Sequence, residues 1–253
     1  MPNAAPRTLV IMPAWNEQEV IGSTIHELRK VVPAYDLLVV NDGSRDDTAA
    51  AARAAGAFVL DLPYNLGVGG AIRAGYKYAR RFGYDRAIQV DADGQHDPRD
   101  IDKVLAGLEH TNISIGARFA EAGSYSVRGP RRWAMVLLAA IVGRISRTKL
   151  TDITSGFRAA DQRAIEQYCE YYPAEYLGDT IDSLVIAVRS GLTVSQVGVS
   201  MRPRQAGMPS NNPWKAAVYL LRSMFALFIS LTRRPVASRP SHATLSSEET
   251  SPC

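Results

Sequence analysis

Ala87-Ile-Gln-Val-Asp-Ala-Asp-Gly-Gln-His96 is the stretch on which the reading of the whole chain turns. Ala87–Val90 is a short apolar run of the kind that forms a strand covered on both faces. The run then ends in two carboxylates, Asp91 and Asp93, spaced so that their side chains reach the same side. Hard carboxylate oxygens at such a place suit Mg2+ or Mn2+ bridging a diphosphate, and Gln95 adds a neutral oxygen. Gly94 and Pro98 suit a plain turn equally well. The neighbouring strands decide between the two.

Upstream, Thr8–Met12, Leu37–Val40 and Ala57–Leu60 read as three more strands, alternating with helical patterns at Glu19–Val32, Asp46–Ala55 and Gly70–Phe82. This alternation predicts βαβ units around a mostly parallel, twisted sheet flanked by helices, an α/β fold. Polar residues follow the strands: Pro13-Ala-Trp-Asn-Glu17 after the first, Asn41-Asp-Gly-Ser44 after the second, Asp91-Ala-Asp93 after the fourth. In open α/β sheets the ligand crevice lies beyond the carboxyl ends of the strands, so the three clusters are expected on one rim. Asp42 is the candidate there for accepting hydrogen bonds from a base or ribose, while Ser44 and Asp46 also suit helix caps. Asn65-Leu-Gly-Val-Gly-Gly-Ala71 brings three glycines to a helix entrance, Gly70 among them, where backbone can approach a ligand closely. Its spacing is neither that of a Walker loop nor GxGxxG.

Beyond residue 110 the pattern loosens. Residues 201–240 carry +7 and residues 118–150 carry +6, so the remainder holds −9 against a total of +4. Two basic zones on an acidic body predict anionic ligands or an anionic membrane surface. Arg131–Ser146 and Trp214–Leu231 are apolar stretches with basic flanks, shorter than the roughly 20 apolar residues of a spanning helix. They read either as core helices or as helices lying on a membrane. The basic clusters have little aromatic interleaving, which argues against nucleic acid. Cys169 and Cys253 are far apart and the four histidines are scattered, so neither a disulfide framework nor a zinc-spaced set is expected. Met1–Arg7 lacks the apolar segment of a signal peptide.

Six motifs, PAWNE (13–17), VNDGSRDDT (40–48), NLGVGGA (65–71), DADGQHDP (91–98), GAR (116–118) and DITSGFR (152–158), resemble in their order the inverting family 2 glycosyltransferases. Similarity is greatest to the dolichol-phosphate mannose synthase branch, over roughly residues 8–210. The resemblance implies a GT-A fold, a divalent metal, a GDP- or UDP-linked sugar donor and a polyprenyl phosphate acceptor. It places Pro13, Ala14, Asn16, Glu17 and Asp42 around the nucleoside, with Gly70 and Ala92 beside the donor. It gives the metal to Asp91, Asp93 and Gln95, and phosphates to Arg118 and Arg204. Arg131, Arg202 and Ser210 join them as acceptor-phosphate candidates from the basic zones. The chain departs from the pattern at Asn41-Asp42, where the family often has two acids, and at Arg204-Gln-Ala-Gly-Met-Pro-Ser210, which has one extra residue before the serine.

The expected organisation is a disordered 1–7, a catalytic domain over 8–210, an amphipathic membrane-associated helix over 211–234 and a disordered tail over 235–253. The expected location is cytoplasmic, peripheral on the inner face of the membrane. Two alternatives stay open: a saccharide acceptor, which requires a base such as Asp152 or Asp179, and a nucleotide-sugar-binding protein without turnover.

Overall fold

The computed structural model describes residues 5–117, 142–148, 150–173 and 178–202. Seven strands form one sheet in the order β3-β2-β1-β4-β6-β5-β7. β1 (Thr8–Ala14), β2 (Asp36–Asn41), β3 (Phe58–Asp61) and β4 (Arg86–Gln89) pair in parallel, and α1 (Ile21–Val31), α2 (Thr48–Ala54) and α3 (Gly67–Arg81) connect them. These are the four strands and three helices expected from the sequence, with ends shifted by at most three residues. The second half adds α4 (Ile101–Ala106), β5 (Ile113–Ala117), a helical stretch α5 at 142–146, β6 (Arg158–Asp161), α6 (Gln162–Glu170), α7 (Gly178–Arg189) and β7 (Val194–Gly198). β6 alone runs antiparallel, against β4 on one side and β5 on the other, while β5 and β7 are parallel.

The apolar strands are apolar because both faces are covered. Along β1, Leu9 and Ile11 face a core that includes Tyr76, Tyr168 and Leu184, from α3, α6 and α7. Val10 and Met12 face the other core, with Ile21, Ile25 and Leu28 of α1 and Ile101 and Val104 of α4. The period of two along a strand makes this division. β1 reaches two residues beyond the expected Met12 and includes Pro13, paired in register with Val40. Ile11 O accepts from Val90 and Ala14 O from Asp42, so Pro13 faces the β4 side, where the ladder ends at Gln89. No ladder bond is lost to the missing N–H there.

Among the described residues no helix is long and apolar enough to cross a membrane. Residues 211–234 and all but the end of Arg131–Ser146 lie outside the described residues, as do the expected tail and most of the expected N-terminal segment.

Candidate donor site at the carboxyl rim of the sheet

The loops after β1, β2 and β3 are tied to one another by side chains bonding to backbone. Asn16, whose φ of 55° is left-handed, donates its N–H to Ser44 Oγ at 3.0 Å, and its own Oδ1 accepts from Arg45 N at 2.8 Å. Glu17 N donates to Thr48 Oγ1 at 2.9 Å, and Asp46 Oδ1 accepts from Thr48 N at 3.1 Å at the start of α2. The N-cap of α2 is Asp47, without a side-chain cap bond; of the two expected caps, Asp46 accepts from the first residue of the helix and Ser44 from the β1 loop. Gly43 lies at φ 67°, and a Cβ there would come within 2.7 Å of the Asn65 backbone nitrogen. Only a glycine lets the β2 loop lie this close to the loop that enters α3.

Asp42 is buried between them. Its N–H donates to Ala14 O at 2.9 Å, and its Oδ1 accepts from Leu66 N at 2.7 Å. Burial pushes its carboxyl above the usual range, opposed by the N–H groups of Leu66 and Gly67. Ala14 is buried beside it, Pro13 and Glu17 are partly covered, and Asn16 is exposed. Gly70 is buried in the first turns of α3, where a Cβ would stand 2.5 Å from Leu66 Cβ.

The Asp91–His96 turn follows β4 and is closed from within. His96 Nδ1 accepts from Asp91 N at 3.1 Å, Asp93 Oδ1 accepts from Gln95 N at 3.1 Å, and Ala92 O accepts from Thr24 Oγ1 of α1 at 3.1 Å. Asp93 and Ala92 are buried, Gln95 is partly covered, and the Asp91 side chain is 39% exposed, open to the rim. Gln89 Nε2 donates to Asp91 Oδ1 at 3.2 Å.

Because β6 runs against β4, the segment entering it, Asp152–Phe157, reaches this same end of the sheet. Gly156 stands against Asp91: a Cβ there would be 2.9 Å from Gln89 Nε2 and 3.3 Å from Asp91 Oδ1. Phe157 stacks on the His96 ring with centroids 4.7 Å apart. Asp152 is almost fully buried, and its Oδ1 accepts from Thr154 N at 3.1 Å and Thr154 Oγ1 at 2.9 Å. The buried guanidinium of Arg158 donates to the carbonyls of Ile153, Ser155 and Thr180 and so holds this segment to α7. Neither Gly156 nor Arg158 was singled out from the sequence as a site residue, although DITSGFR contains both.

Arg202 is engaged within the chain. The sequence reading places it among the phosphate ligands, whereas Nη1 donates to Glu27 Oε1 at 2.6 Å and Nη2 to Asp97 Oδ1 at 2.8 Å. Asp97 is held well below the usual carboxylate range by hydrogen bonds from Arg99, with Arg202 adding to them. Arg118, Arg131, Arg204 and Ser210 lie outside the described residues, as does the side chain of Asp179.

The rim thus carries Asp42 on the joined loops after β1, β2 and β3, and Asp91 and Asp93 on the turn after β4, which bonds to α1 through Ala92. Among the described residues no three His, Cys, Asp or Glu side chains form a cluster able to hold a metal alone. The Asp91–Asp93 pair with Gln95 suits a hard cation that takes its remaining oxygens from water and a substrate diphosphate, as Mg2+ does.

A mostly parallel α/β sheet of this order, with acids collected beyond the ends of its strands, is the GT-A fold of glycosyltransferases. The solved glucosyl-3-phosphoglycerate synthase from Mycobacterium tuberculosis, in complex with Mn2+, uridine-diphosphate and glucosyl-3-phosphoglycerate, has a TM-score of 0.69 to this chain. It is 23% identical, covers 90% of this chain and 80% of its own, and supports the fold alone. The model of glycosyl transferase family 2 matches residues 9–169. The undecaprenyl-phosphate mannosyltransferase of Micrococcus luteus is 33% identical over 213 residues, 79% of this chain and 86% of that protein. The polyprenol monophosphomannose synthase of Mycolicibacterium smegmatis is 29% identical over 214 residues, 80% of each. The chain belongs to glycosyl transferase family 2, and it is an enzyme.

Proposed function

We propose that the protein transfers a hexose, with inversion, from a GDP- or UDP-linked donor to a polyprenyl phosphate, with Mg2+ or Mn2+ as cofactor. The observation that carries this reading is the 33% identity to a protein named for that acceptor class, along 86% of its length. The region over 8–210 is the catalytic unit, and 211–234 together with the basic zones is the proposed contact with the inner face of the membrane.

Pro13, Ala14, Asn16, Glu17 and Asp42 take the nucleoside, with Gly70 and Ala92 beside the donor. Asp91, Asp93 and Gln95 would hold the divalent ion, which when bound supplies stabilisation of the charge growing on the leaving diphosphate. Arg118 and Arg204 add positive charge to the same diphosphate, and Arg131 and Ser210 take the acceptor phosphate. The acceptor oxygen attacks the anomeric carbon from the face opposite the leaving group. A phosphate monoester is already largely ionised at neutral pH, its second pKa being about 6, so no side chain has to remove a proton. The burial of Asp152 and its bonds to Thr154 support that economy, because this sequence candidate for a base is engaged in its own loop.

The test offers a panel of nucleotide sugars with polyprenyl phosphate and Mg2+ or Mn2+, followed by mass spectrometry of the lipid-extractable product. A polyprenyl phosphate hexose is expected, together with its loss in Asp93→Ala and on chelation of the metal. Transfer only to an oligosaccharide would overturn the acceptor, and metal-dependent donor binding with no product would overturn transfer altogether.

A further inference from the structure

The chain leaving β7 crosses back over the Asp91–His96 turn. Ser200 N donates to Asp100 Oδ2 at 2.8 Å, Met201 forms an isolated antiparallel bridge with His96, and Arg202 N donates to Gln95 O at 3.0 Å. The backbone of this strap therefore bonds to the carbonyl of one expected metal ligand and pairs with the residue that closes the turn. Its side chain then fixes the strap at both ends of a wedge. The Arg202 guanidinium bridges Glu27 on α1 and Asp97 just past the turn, through two separate nitrogens. It is 26% exposed, Asp97 6% and Glu27 36%, so the bridge is partly shielded from water. A forked guanidinium can hold two carboxylates at fixed separation, whereas an ammonium acts as a point charge.

We propose that Arg202 is a positioning residue: by pinning the strap between Glu27 and Asp97 it holds the Asp91–Gln95 turn in the geometry that binds the divalent ion. Outer partners of this kind orient the groups that touch a metal, and their loss lowers metal affinity without touching the ion. The fold is expected to survive removal of the guanidinium, because Asp97 keeps its pair with Arg99 and Glu27 has access to solvent. This inference rests on the assignment of the turn to the metal and donor diphosphate, and the experiment separates the two.

Hydrogen exchange of the metal-free protein, read on peptides spanning residues 88–100, is compared for wild type, Arg202→Ala and Arg202→Lys, alongside Mn2+ titration followed by electron paramagnetic resonance. Arg202→Ala is expected to speed exchange in this peptide while leaving peptides from β1 and β2 unchanged, and to weaken Mn2+ binding about tenfold. Arg202→Lys is expected to lie between the two. Wild-type exchange in Arg202→Ala would overturn the clamp whatever the turn binds. Faster exchange with undiminished Mn2+ affinity would reduce Arg202 to a staple for α1 and equally overturn the proposal. A wild-type protein that binds no Mn2+ would overturn the metal assignment first and this proposal with it.

Discussion

The imidazole of His96 meets Asp91 at both of its nitrogens: Nδ1 accepts the Asp91 main-chain N–H at 3.1 Å, and Nε2 stands 3.7 Å from an oxygen of the Asp91 carboxylate. With Nδ1 an acceptor, the neutral ring carries its proton on Nε2, facing the carboxylate. One side chain thereby fixes the backbone of the rim acid and stands beside its carboxylate, which Gln89 Nε2 orients by a hydrogen bond. His96→Ala leaves a covered N–H without its acceptor and is expected to cost about 1–3 kcal/mol of stability in urea unfolding. Transfer is expected to fall about tenfold in protein that is still fully folded at the assay temperature.

Gly156→Ala probes the opposite wall. The added methyl would displace the end of Gln89, which is flexible, but Gln89 Nε2 is also the donor to Asp91 Oδ1. Relief of the clash therefore costs the carboxylate its orientation. The variant is expected to keep a near-native melting temperature while kcat/KM falls about tenfold or more, since a displacement of about 1 Å at a reacting centre is enough for such losses.

Asp42 gives a pH signature. Burial raises its pKa in the folded state, so folding favours the protonated form. The stability from this group is full below the unfolded pKa and is lost as pH rises through the folded value. Asp42→Asn keeps an oxygen for Leu66 N and has no ionisation. Melting curves of the two proteins are expected to diverge above about pH 4, with wild type losing ground to the variant as pH rises. The KM for the donor is expected to rise in the variant, from loss of the charged acceptor at the rim.

Asp97 has the reverse sign. Its depressed pKa makes the ionised form the one that folding favours, so its stabilisation is complete above the unfolded pKa and disappears as pH falls through the folded value. The gap in melting temperature between wild type and Asp97→Asn is expected to be widest near neutrality and to close below about pH 4. Added salt should narrow it as well, because Arg99 is exposed.

The first four strands were legible because a strand covered on both faces must be an apolar run, and because the rim forces polar residues to follow it. β6 was not legible: Arg158-Ala-Ala-Asp161 begins and ends on charge, and its place between β4 and β5 depends on pairing with distant segments. The Asp91–His96 turn could be read because its parts are contiguous. The partners of Arg202 could not be read from local charge. No acid lies within 201–240, and the two carboxylates that hold it belong to α1 and to the segment after β4. Gly156 was invisible for the same reason, its closeness to Asp91 being set by the β4–β6 register.

The reversed direction of β6 also shapes what protein engineering can exchange. The loops after β1, β2 and β3 are laced together by Asn16, Thr48 and Asp42, all from the first quarter of the chain. The opposite wall is supplied separately by the entrance to β6 and the exit from β7. A chimera that joins this first half to the second half of a relative should thus inherit these three loops intact, and with them the proposed nucleoside contacts. At the rim its seam would run where Asp91, Gln95 and His96 meet Gly156, Phe157 and Met201, and beneath that it would have to match the β4–β6 ladder and the core shared by Leu9, Ile11, Tyr76, Tyr168 and Leu184.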